Sequence, residues 1–171
     1  MALLSLKTLT QYIASAFPAA PQRTAMDFIA KRVASDVKTV TTSTYRVQPE
    51  DNTLILNRAG GIAVTLPAAT GSGAKYKFVV ATTFTSNATI ATASSSDKFT
   101  GHAILAQDSA DTVVHFGTAA GTDLLTMYTA ANNTTGGIKG AIIEVQDIAV
   151  NLWSIFYISE AGGTEATPFD S

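Results

Sequence analysis

The chain contains no cysteine, two histidines, one tryptophan and few charges, and each shortage removes a class of protein. Without cysteine there is no disulfide scaffold, no thiol nucleophile and no Cys-ligated zinc site. Charged residues make up 14%, well below the usual quarter, so the highly charged, weakly apolar composition of disordered chains does not apply. No apolar run approaches the roughly 18 to 20 residues that a membrane-crossing helix needs. Residues 1–17 are mildly apolar, but Lys7 and Gln11 interrupt them and a basic n-region is missing. Synthesis and use without export is therefore expected, with no membrane partner.

Small residues fill the space that charges leave. The 171 residues include 28 Ala, 25 Thr, 13 Ser and 12 Gly, while hydrophobic residues still reach 46%. A single domain of this length can bury roughly two thirds of its unfolded surface. Threonine is the β-branched residue that also tolerates water, so its abundance suits strands with one solvated face. Small side chains lose little entropy when buried, which favours flat packing against neighbours.

Charge divides the chain in two. Residues 1–46 carry six basic side chains against two acidic ones, a balance of +4, whereas residues 47–171 carry five against eleven, a balance of -6. Leu6, Leu9, Ile13 and Phe17 recur at helical spacing until Pro18 and Pro21 intervene. Met26, Ile29, Val33, Val37 and Val40 then form a second stripe. The expectation is a helical N-terminal arm over residues 1–44, too short to be stable without a partner surface.

From Thr39 the period falls to two and β-branched residues dominate. Successive runs such as 53–57, 62–66, 76–81, 88–92, 103–105 and 112–116 are separated by Gly-, Ser- and Asn-rich turns. The last two runs, 141–147 and 152–158, are the most apolar, with Asn151 in a hairpin between them. The expected fold is mainly β: an antiparallel β-sandwich, jelly-roll-like or barrel, over residues 45–160. Residues 161–171 read as a flexible C-terminal tail, and no repeat of fixed period is visible.

The chemistry-bearing residues are sparse. His102, Asp108, Asp111 and His115 form the one conceivable metal cluster, but turn-forming aspartates account for its spacing and no metal or cofactor is expected. No nucleophile elbow, P-loop or dinucleotide fingerprint is present, so no catalytic residue is assigned. The basic end lacks aromatic interleaving or a recognisable module, so nucleic acid is not an expected partner. Trp153 lies among Leu152, Ile155, Phe156 and Ile158 and is expected in the core.

One ordered series carries more information. Thr53–Asn57, the stretch from Gly60 through Leu66-Pro-Ala-Ala-Thr-Gly-Ser-Gly73 to Val80, Thr85–Ile90, and Asp97-Lys-Phe-Thr-Gly101 together span residues 50–105. This series resembles tailed-bacteriophage virion structural proteins, and most closely capsid decoration (cement) proteins. The resemblance implies a non-enzymatic protein on the outer surface of the capsid, made in the host cytoplasm, whose partner is the major capsid protein. By analogy it also implies a homo-oligomer, a trimer in such proteins, and supplies no catalytic residues. A fibre, spike or head-appendage module that binds a host receptor or glycan is the alternative, for which Tyr128, Trp153 and Tyr157 are candidate aromatics. In the decoration reading, Arg23, Met26, Ile29, Lys31, Arg32, Val33, Val37 and Lys38 are the residues expected to meet the shell or a sister subunit.

Overall fold

Leu54 and Leu56 are buried while Thr53 and Ile55 between them are half-buried, and this alternation recurs along nearly every strand. The computed structural model describes residues 37–107, 112–128 and 133–170. Among them are twelve strands and no helix: β1 (Val37–Val40), β2 (Thr44–Arg46), β3 (Thr53–Leu56), β4 (Ala63–Thr65), β5 (Lys75–Val80), β6 (Ala88–Ala91), β7 (Lys98–Gln107), β8 (Val113–Gly117), β9 (Leu124–Tyr128), β10 (Ile142–Ala149), β11 (Leu152–Ala161) and β12 (Phe169–Asp170).

The strands form two sheets, a seven-stranded one in the order β1-β3-β5-β10-β11-β7-β8 and a five-stranded one in the order β12-β9-β6-β4-β2. Their inner faces supply one buried cluster, with Leu54, Phe78, Ile143, Trp153 and Leu105 from the larger sheet and Val64, Ile90, Leu125 and Met127 from the smaller. Both sheets are mixed, which corrects the expected antiparallel arrangement. The physical reason lies in the first six strands. The chain alternates between sheets, so β1, β3 and β5 stack parallel in one and β2, β4 and β6 stack parallel in the other. Val37 pairs with Thr53 and Thr53 with Lys77, so the coils advance by unequal lengths. Unequal coils leave no fixed sequence period.

The antiparallel part follows. The hairpin β10–β11 turns at Val150 and Asn151, with Asn151 at φ 61°, the left-handed conformation that Asn tolerates in a two-residue turn. It inserts between β5, to which β10 is antiparallel, and β7, to which β11 is parallel.

Two expected boundaries move. Residues 37–40 are strand rather than the end of a helix, because β-branched Val37, Thr39 and Val40 pair with β3 and Val40 enters the core. The remaining part of the expected arm, residues 1–36, lies outside the described residues. The C-terminal segment is docked. Phe169 is buried, β12 pairs with β9, and the Thr126 N–H donates to the Pro168 carbonyl at 2.7 Å.

Residues 66–101 have an internal logic. Leu66-Pro-Ala-Ala-Thr-Gly-Ser-Gly73 leaves β4 and wraps two buried carboxylates. Asp97 Oδ2 accepts from the Ala69 N–H at 3.3 Å. Asp147 accepts from the N–H groups of Thr70, Gly71 and Ser72 and from the hydroxyls of Thr70 and Ser72. Gly101 closes the series: a Cβ there would lie 1.8 Å from the Ile155 carbonyl oxygen, so only glycine admits the β7–β11 contact.

Candidate functional site

Outward-facing positions of the two sheets differ in kind. On the five-stranded sheet, Thr44, Ala63, Thr89 and Thr126 stand in register, a polar and small-residue row. On the seven-stranded sheet, Thr39, Ile55, Val79, Ile142, Ile158, Ile104 and His115 stand in one row across all seven strands. Five consecutive members are β-branched and apolar, and the row runs roughly 29 Å at the usual strand spacing. The adjacent row reads Val37, Thr53, Lys77, Glu144, Phe156, His102 and Gly117. Ile158 at 41% and Phe156 at 40% are exposed large hydrophobics on this face. A partly apolar surface of this kind marks a place where another molecule can pack.

Polar features are set into that face. Lys77 Nζ lies 3.2 Å from Glu144 Oε1, an exposed cross-strand pair that adds little stability. Beside it is a depression of about 330 Å³, lined by Asn52, Lys75, Lys77, Glu144, Gln146 and Phe156 among others. At the far end of the two rows, His115 Nε2 and His102 Nδ1 are 3.0 Å apart, with ring centroids 4.9 Å apart and the planes tilted by 38°. Register explains the meeting: Ile104 pairs with His115 and His102 with Gly117, so the two rings are diagonal neighbours on one face of β7 and β8.

Two further polar clusters are structural. Lys38 Nζ donates to the Tyr45 hydroxyl at 2.6 Å, and that hydroxyl donates to Asp51 Oδ2 at 2.6 Å. The Tyr45 hydrogen bond is the main influence raising the Lys38 pKa, while burial and the bond to Asp51 raise that of Tyr45. This chain of contacts joins the edge strands β1 and β2 of the two sheets. In the interior, the Tyr157 hydroxyl accepts from the Gly137 N–H at 2.7 Å and donates to the Thr135 carbonyl at 3.2 Å. Burial pushes the Tyr157 phenol up to about 12.

Of the residues expected to meet a partner, Arg23, Met26, Ile29, Lys31, Arg32 and Val33 lie outside the described residues. Val37 and Lys38 are placed on β1, Val37 exposed at 60% and Lys38 with its ammonium engaged by Tyr45 and Asp51. Of the four conceivable metal ligands, His102 and His115 are brought together, while Asp108 and Asp111 lie outside the described residues. No group of three or more His, Asp or Glu is assembled among the described residues. Trp153 is in the core as expected, packed against Tyr76 at 5.9 Å, and Tyr157 is fully buried. Neither ring can stack on an external sugar.

The apolar row was missed in the sequence, although a signal existed. Leu54-Ile55-Leu56, Phe78-Val79-Val80, Ala103-Ile104-Leu105 and Ala141-Ile142-Ile143 are unbroken apolar runs, and a strand apolar on both faces needs cover on both. No family model, curated protein sequence or solved structure matches the chain.

Proposed function

We propose that this chain is a non-enzymatic structural protein of a tailed-phage particle, a capsid decoration protein that binds the outer shell and ties neighbouring subunits together. The observation that carries the reading is the asymmetry of the two layers. One outer face is Thr-lined and suits water; the other presents a row of five apolar side chains across β3, β5, β10, β11 and β7. Lying flat on a protein shell, that face would remove Ile55, Val79, Ile142, Ile158 and Phe156 from water. Each Å² of apolar surface so covered contributes about 25 cal/mol before the costs of association. The basic N-terminal stretch with Arg23, Lys31 and Arg32 complements an acidic shell or sister subunit, and a homo-oligomer, trimeric by analogy, would repeat both contacts around one axis.

A second reading has one observation in its favour. The depression beside Phe156 combines an exposed aromatic edge with amide, ammonium and carboxylate groups from Asn52, Gln146, Lys77 and Glu144. That mixture suits a host glycan, as a fibre or appendage module would need.

Imaging of purified phage particles separates the two. Density for this chain on the shell, in copy numbers comparable to shell subunits, is the expected result. Density confined to a few copies on a tail or appendage would overturn the decoration reading and favour the receptor module.

A further inference from the structure

The chain's two histidines are thirteen positions apart, yet they meet nitrogen to nitrogen on an exposed sheet face. We propose that His102 and His115 form a chelating site for one divalent transition-metal ion of the zinc, nickel and copper class.

The nitrogen separation fits such a site. Metal–imidazole bonds of about 2.0–2.1 Å place two ligating nitrogens about 2.9 Å apart at a right angle and about 3.4 Å apart at a tetrahedral one. The observed separation of His115 Nε2 and His102 Nδ1 is 3.0 Å. To chelate, each ring would rotate about its side-chain bonds so that its lone pair turns from the other ring toward a shared ion.

The proton balance is also simple. In the metal-free pair one ring donates its N–H to the other. On binding, that hydrogen moves to the far nitrogen, Nε2 of His102 or Nδ1 of His115, so both near nitrogens ligate as neutral imidazoles. No net proton need be released from a neutral pair.

The surroundings permit a cation. By register the neighbours on this face are Phe156, Ile158, Ile104 and Gly117, none of them cationic. Both rings are exposed, so the remaining coordination positions point outward and are taken by water. Two ligands from adjacent strands bind more tightly than one, because the second imidazole is already held beside the first. Since β8 is the edge of its sheet, the ion would also clip that edge onto β7. This inference does not depend on the particle in which the protein works.

Zinc titration of the full-length protein by calorimetry, with nitrogen-15 spectra of the imidazoles, tests it. One ion per chain is expected, with shifts at His102 Nδ1 and His115 Nε2. His102→Gln and His115→Gln should each weaken binding by about tenfold or more, reducing the site to a single ligand. Both positions are exposed, so both variants should melt like the parent. Absence of binding below about 1 mM zinc, binding that survives both substitutions, or shifts at the opposite ring nitrogens would each overturn the site.

Discussion

Asp147 Oδ1 accepts the Gly71 N–H at 2.7 Å, tying β10 to a loop seventy-six positions earlier in the chain. Burial pushes the Asp147 carboxyl up, but hydrogen bonds from the Ser72 hydroxyl and from the N–H groups of Ser72, Thr70 and Gly71 outweigh it and hold the pKa at about 2. A lowered carboxyl pKa stabilises the folded state above its unfolded value near 4, and that stability is lost as pH falls toward 2. The contribution at neutral pH is about 2 kcal/mol. Acid-unfolding curves should therefore fall between pH 4 and 2. Asp147→Asn should lose about 2 kcal/mol or more at pH 7 and show a shallower fall, because one of its two acceptors becomes a donor facing donors. An Asn variant as stable as the parent at pH 7 would show that the loop is held by other contacts.

Gly101→Ala should be among the most damaging single changes. Its φ of 152° is unfavourable for an L side chain, and the added Cβ meets the backbone of β11, which cannot yield like a flexible side chain. The expected loss exceeds about 3 kcal/mol, read as a fall in melting temperature. Gly117→Ala on the paired strand, where a Cβ meets nothing within 4 Å, is the matched control and should be nearly neutral.

The docked C-terminus gives a third expectation. Phe169→Ala removes a buried ring from the core and should cost about 3 kcal/mol, read as a fall in melting temperature. A chain ending at residue 166 should lose protection from hydrogen exchange at Thr126, whose N–H is held by Pro168. Unchanged exchange there would contradict the pairing.

For the proposed attachment to shells, Ile158→Lys is the discriminating variant. It replaces an exposed side chain, so the melting temperature should stay within a degree or two, while co-sedimentation with capsids should weaken by about tenfold or more. Deleting residues 1–36 should likewise weaken attachment and leave the body folded, since residues 37–171 form a compact unit of their own. Extending the deletion through Val40 should destabilise the body itself, because that residue belongs to the core.

What was legible in the sequence is what depends on near neighbours. Alternation located the strands, Asn151 located the hairpin, and the apolar residues around Trp153 placed it inside. Helical spacing misplaced Val37 and Val40, since a stripe of valines fits a helix face until a partner strand competes for it. The parallel coils were hidden because their pairing joins residues such as Thr53 and Lys77 across unequal intervals. Asp147 gave no sign of its role, as all five donors it accepts belong to a loop far back in the chain. The histidines stand out as a pair in the sequence, but only the β7–β8 register makes them touch.

The position of the β10–β11 hairpin has a consequence for biosynthesis. These strands leave the ribosome after β5 and β7, yet they lie between them in the middle of the seven-stranded sheet. Until they emerge, β5 and β7 present open edges, and the larger sheet exists only as two unjoined fragments. Such edges invite pairing with other nascent chains. Closure of the sheet therefore waits on synthesis of β10 and β11, and termination before them would release a chain prone to aggregate.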